Sequence, residues 1–300
     1  MNQQKIEFQR YRDFGQVISG TFEFLRQNFA PLLKSIIFIA GPFILLAGIF
    51  GGIYQKNVFS FNVVKTLSDI SFPILLYILF IFLSLTFMIA ILYEYIKIYL
   101  SRKEESAIQI DEVWLAVRSK IIKYLLFSIG YFLIVFVAAM LVVIPLFFLF
   151  NVAANPFAIF LVFLIVMFPI IYLSVVMSIG FTAAMFEDNG LFASISRAFN
   201  LIKKRWWMTF GLVFVLSLIQ GFMGFIFQIP QYIAMMVIMF NTLDGNQADG
   251  ITEIIIIATS IIASFSFVFY SVNLVGIALH YFSLVEQKDA KGLLEKIESI

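Results

Sequence analysis

The chain has 300 residues, of which 62% are hydrophobic and 13% charged, with 38 phenylalanines and a formal net charge of +2. Soluble domains use roughly 45–50% apolar and about 25% charged residues, so this composition excludes a soluble fold and points to an integral membrane protein. Cysteine is absent, which excludes a disulfide framework, thiolate chemistry and a lipidated cysteine.

The first thirty residues carry Lys5, Glu7, Arg10, Arg12, Asp13, Glu23 and Arg26. That leaves no room for the apolar core and small-residue cleavage site of a signal peptide, so the N-terminus is expected to stay on the mature protein. Six long apolar runs follow, at about 32–54, 72–99, 124–150, 157–186, 206–240 and 251–285. Each is long enough for a ~30 Å hydrocarbon core, which takes about 20 helical residues. They are apolar on every side, which rules out the alternation of a membrane barrel strand. Pro42, Pro145 and Pro169 are expected to kink their helices. The last two runs exceed a perpendicular span, so tilt or a break is expected, with Pro230 breaking the fifth because it lacks an amide hydrogen.

Residues 189–204 place Phe192, Ile195, Phe199 and Ile202 at helical spacing, with Arg197, Asn200 and Lys204 on the other side. This pattern describes a helix lying in the membrane plane. Trp206 and Trp207 follow at once, and tryptophan favours the headgroup level. Arg197, Lys203, Lys204, Arg205, Trp206 and Trp207 are therefore read as membrane-interface anchors, with membrane lipids as partners. A similar order occurs near the start: Ile18, Ser19, Phe22, Leu25, Arg26 and Phe29 match Ile195, Ser196, Phe199, Ile202, Lys203 and Trp206. A weaker copy sets Val113, Val117 and Tyr124 against Ile18, Phe22 and Phe29. The expected architecture is all-α and polytopic: six transmembrane helices with three interfacial amphipathic elbow helices. It forms a single integral membrane domain over 1–300, with elbow-hairpin repeats at about 13–100, 109–187 and 189–286 and a short charged cytoplasmic tail over 287–300.

The stretches "RDFGQVISGTFEFLRQNFAPLL" and "AMFEDNGLFASISRAFNLIKKRWWMTFG" resemble a broad group of bacterial six-helix membrane proteins related to the membrane domain of glycerophosphodiester phosphodiesterases. The resemblance implies a six-helix membrane domain with amphipathic connectors, largely of unknown function, in a bacterial cytoplasmic membrane. The two-part phosphodiesterases carry their hydrolase as a separate soluble domain, and no residues of this sequence correspond to it.

Basic residues favour the cytoplasmic side of short loops. With the N-terminus inside, every one of the 20 basic residues except Lys56 and Lys65 falls in a cytoplasmic segment. Both termini are therefore expected in the cytoplasm.

Chemistry has few footholds. Histidine occurs once, at His280, so neither a multi-histidine iron site nor a conventional zinc site can be assembled. No nucleophile elbow, phosphate loop or dinucleotide fingerprint is present. Glu94 and Lys97 are spaced for a local pair. Glu187 and Asp188 are read as solvated boundary residues, with Asp188 or Asn189 capping the following elbow helix. The expectation is a protein that is not an enzyme, with no cofactor, no metal and no nucleic-acid partner.

Inside the membrane, Thr259, Ser266, Tyr270, Asn273 and His280 fall on one face of the sixth helix. Ser217, Gln220 and Gln228 on the fifth and Ser174, Ser178 and Thr182 on the fourth are possible counterparts, either packing between helices or lining a polar cleft. His280 is placed near the cytoplasmic headgroups. Two functions fit: a non-enzymatic scaffold or accessory subunit holding a membrane protein partner, or a carrier of lipid or another small amphiphile.

Overall fold

A computed structural model describes residues 5–59, 67–102, 107–150, 156–243 and 250–289. Among them there are helices and no strands. In chain order the elements are α1 (Phe14–Ser35), a π-helical turn (Ile36–Ala40), α2 (Gly41–Phe59), α3 (Leu67–Ser101), α4 (Ile110–Phe150), α5 (Pro156–Phe186), α6 (Leu191–Ile202), α7 (Trp206–Leu243), α8 (Gly250–Ser264), a 3-10 segment (Phe265–Phe269) and α9 (Tyr270–Asp289). Six stretches are long and apolar enough to cross a membrane: Phe14–Val58, Ser71–Ser101, Ile110–Leu146, Phe160–Phe186, Trp206–Phe240 and Gly250–Asp289. They coincide with the six runs read from the sequence. The expected tail beyond Asp289 and the loop residues Lys65, Lys103, Asp244 and Asp249 lie outside the described residues.

Of the three stretches expected as elbows, one is a separate short helix among the described residues. α6 is a short amphipathic helix, set off from α7 by a turn at 203–205. The first stretch is instead the opening of α1, which passes Pro31 and continues through the π-helical turn into α2. The middle stretch is the opening of the 41-residue α4. A continuous helix satisfies each backbone group within the segment, and residues 113–124 hold no glycine or proline to stop one. α7 likewise runs through Pro230. The expected break lies in the sixth span, where the α-helix tightens to 3-10 geometry at Phe265–Phe269.

The contacts gather into two compact units. In the unit of residues 22–121 and 215–275, the chain from α1 to α2 runs antiparallel to α3 along a ladder of rings. Phe24 meets Tyr95 at 6.3 Å, Phe43 stacks on Phe87 at 4.4 Å, Phe50 on Phe80 at 5.5 Å and Tyr54 on Tyr77 at 6.4 Å. Such pairs add about 0.5–1.5 kcal/mol each beyond burial. Tyr95 also donates its hydroxyl hydrogen to Asn28 Oδ1 at 2.9 Å. α2 meets α8 backbone to backbone at Gly48 and Gly52, where a built Cβ would sit 2.7 Å from the Cα of Ile261 and Ile257 respectively. The reversed order of these partners makes α2 and α8 antiparallel. Small-xxx-small spacing permits this approach, since helices in lipid associate by close packing rather than by the hydrophobic effect.

In the unit of residues 1–21, 122–214 and 276–300, α6 lies on α5. Its Ser194, Ala198, Leu201 and Ile202 are buried while Phe192 and Phe199 face outward. Gly180 lets Ala198 approach, and Tyr131 shares a 2.9 Å hydrogen bond with Ser194. The segment of α9 from Gly276 to Val285 is buried on all sides. Phe282 packs edge-on to Phe8 and Phe186, and Ser283 exchanges hydrogen bonds with the backbone of Arg12 at 2.9 and 3.1 Å.

Candidate functional site

The polar residues read as one stripe differ in burial and in partners. A 3-10 helix turns about 120° per residue against 100° for an α-helix, so the five residues 265–269 advance the phase by about 100°. Thr259, upstream, bonds back to the carbonyls of Ile255 and Ile256. Ser266 sits inside the 3-10 segment, with its Cβ 3.2 Å from where a Cβ on Gly224 would lie. Tyr270 opens α9 and is half-buried.

Beyond the phase shift, Asn273 is buried and its amide nitrogen donates to Ser217 Oγ at 2.8 Å and Gln220 Oε1 at 3.3 Å. The sequence named all three residues, and the fold brings them together. Asn273 Oδ1 is buried and has no donor, a deficit that carries a desolvation penalty of about 1–3 kcal/mol. Gln228 lies apart from this cluster and accepts a hydrogen bond from Tyr232 at 2.9 Å. Polar residues outside the proposed cleft also join across helices: Gln231 donates to Gln55, and Lys56 pairs with Glu253 at 2.6 Å.

In the other unit, His280 is buried in protein, and its Nε2 lies 2.9 Å from Thr209 Oγ. Thr209 gives its hydroxyl hydrogen to Arg205 O at 3.2 Å. The ring's other nitrogen, Nδ1, is buried without a hydrogen-bond partner. Ser174, Ser178 and Thr182 return their hydroxyls to the carbonyls of Ile170, Val175 and Ser178. That satisfies them locally, as serines and threonines in membrane helices commonly are.

The anchors divide. Lys203 and Lys204 are exposed in the turn, and Trp207 is 75% exposed. Trp206 is held by protein, stacked on Tyr172 at 5.4 Å and on Phe210 at 5.3 Å. Arg205 lies 5.8 Å from the ring of Tyr11. Arg197, grouped with the lipid anchors by the sequence, is engaged by protein carboxylates. Its Nε lies 3.0 and 3.1 Å from the Glu187 oxygens, and its Nη2 pairs with Glu187 and Asp289. Partial burial works to lower its pKa, and hydrogen bonds to Asp289 and Glu187 overcome this, holding the guanidinium above its ordinary value.

Glu187 is thus not a solvated boundary residue: it also accepts a 2.7 Å hydrogen bond from Tyr281 and lines a small cleft with Gln9, Phe186, Phe282 and Glu286. Asp188 takes a left-handed φ of 59° and pairs with Lys123, and Asn189 donates to Glu187 at 2.9 Å. Neither caps α6. Gly190 stands at the N-cap with no side-chain hydrogen bond.

One charged centre was only half legible. Glu94, 2% exposed, pairs with Lys97 at 2.7 Å, as its spacing suggested, and also with Lys120 at 3.2 Å from α4. The second lysine lies 26 positions away, a separation no local pattern reports. These groups join helices. Compared with protein-family models, curated proteins and solved structures, the chain matches none, so its function is read from its own geometry.

Proposed function

We propose that this chain is a non-enzymatic scaffold or accessory subunit of a bacterial cytoplasmic membrane, and that the hairpin of α4 and α5 is where a membrane protein partner docks. The observation that carries the proposal is burial. From residue 132 to residue 174 no described side chain is buried. In the most apolar window of the third span 6% is buried, against 50% in the first. A helix in a bundle gives part of its surface to neighbours through close packing and interhelical hydrogen bonds. Here the described side chains are at most partly covered, and large apolar ones are exposed, among them Leu133, Leu141, Phe163 and Phe168.

The elbow supports the same reading at the membrane surface. Exposed Phe192 and Phe199 beside exposed Lys203 and Lys204 suit a helix seated among anionic headgroups. The attraction is about 1 kcal/mol per basic residue near such a surface. The bacterial membrane follows from the resemblance, and the cytoplasmic position of the elbow from the distribution of lysine and arginine.

The test is a photo-activatable residue at Leu141 or Phe168, irradiated in native membranes, with native mass spectrometry of the protein in nanodiscs. A discrete adduct with another membrane protein, present in stoichiometric amount, is the expected result. Adducts with lipid alone would overturn the proposal, and a specific amphiphile retained without any protein would favour the carrier instead.

A further inference from the structure

α7 carries an exposed polar notch in the middle of its span. Ser217 and Gly221 are exposed one turn apart, with Gln220 half-buried beside them. They lie 11 to 15 positions beyond Trp206, which at 1.5 Å per residue is about 16–22 Å along the helix. With Trp206 and Trp207 at the headgroup level, the notch sits near the centre of a ~30 Å hydrocarbon core.

At that depth acyl chains offer neither donors nor acceptors. Asn273 fills one acceptor position of Ser217 Oγ and one of Gln220 Oε1. What remains on the pair is the hydroxyl hydrogen of Ser217, the two amide hydrogens of Gln220, and a second lone pair on each oxygen. Groups that hold spare donors and spare acceptors together on one face satisfy each other when that face meets its own copy about a two-fold axis. Lipid headgroups, confined to the interface, do not reach them. Gly221 supplies the shape, because a Cβ there would meet nothing within 4 Å, so a second helix can approach backbone to backbone.

We infer that the protein pairs with a second copy of itself through this face of α7, with Ser217 and Gln220 of each protomer hydrogen-bonded across the two-fold axis and Gly221 at the crossing. The cluster behind it has a defined part in this: Asn273 occupies one acceptor position on each oxygen and so fixes the two side chains, leaving their hydrogens and second lone pairs for the outer face. The inference does not depend on the docking hairpin, which lies on other helices.

The experiment reconstitutes the full chain, each copy carrying a donor or an acceptor dye on a single introduced cysteine, and reads energy transfer as lipid is added. Pairing is expected to be saturable and reversed by dilution. Gln220→Leu removes two symmetric bonds and is expected to weaken pairing about eightfold, at the strength typical between membrane helices. Gly221→Ile is expected to abolish pairing. It touches no contact within the protomer, so it separates loss of the interface from loss of the fold, while Ser217→Thr keeps the hydroxyl and is expected to pair. Energy transfer no higher than the random level at every dilution would overturn the inference. So would a Gly221→Ile variant that pairs like the parent, or a Gly221→Cys variant that forms no oxidised dimer.

Discussion

At the scale of single residues, the informative side chains are polar ones that helices have enclosed. Glu94 shows how unequal the members of one pair can be: its own side chain is 3% exposed, while those of Lys97 and Lys120 are 24% and 45% exposed. Removing the carboxylate leaves two ammonium groups that water can reach. Removing both ammonium groups leaves a buried carboxylate without them. Lys97→Met combined with Lys120→Met is therefore expected to destabilise the protein by about 3 kcal/mol, and Glu94→Gln by less, since stranding a buried charge is the larger penalty. Unfolding in mixed micelles, followed by tryptophan fluorescence, gives both values. Equal losses would show that the lysines, rather than the carboxylate, set the balance. Asn273, His280, Ser217 and Gln220 were visible in the sequence as polar residues in apolar runs, because such residues are rare there. Which of them meet was not visible, because that depends on helix phase and on partners distant in the chain.

At the scale of elements, the apolar runs gave the six spans because length and hydropathy are summed over many residues and survive local irregularity. Their interruptions were harder to place. Proline drew attention to α7, yet in lipid a helix with one missing amide hydrogen remains better satisfied than an open chain. The 3-10 segment FSFVF contains neither glycine nor proline, so no breaker residue announced the change of helical geometry there. The short helix α6 was legible because its apolar residues recur at helical spacing. The glycines of α2 were not read, although their spacing matters as much. Gly48→Val and Gly52→Val are each expected to lower stability by 1–3 kcal/mol or more, about the penalty of overpacking, because Ile261 and Ile257 present backbone rather than yielding side chain. Gly250→Ala, within α8 and with nothing within 4 Å of a built Cβ, is the control and is expected to shift the midpoint little. Thermal denaturation in detergent separates the two classes.

At the scale of the whole chain, the distribution of charge sets the expected topology. The absence of cysteine makes this simple to test, because any reactive thiol is one that has been introduced. Gly245→Cys is expected to react with an impermeant maleimide added to intact cells, and Ser106→Cys only after the membrane is opened. The opposite pattern would invert the protein and place α6 at the outer face.

The enclosed course of α9 bears on how the protein is made. Ser271, Asn273, His280 and Ser283 are all buried, and a lone helix carrying them into lipid would meet acyl chains on every side at considerable expense. α9 ends the last of the six spans to leave the ribosome. By then the walls that will surround it have already been synthesised, and domains assemble broadly in the order of translation. Synthesis order thus gives these side chains a protein-lined berth on arrival, and a circular permutant that translates this span first would have to shelter them by other means.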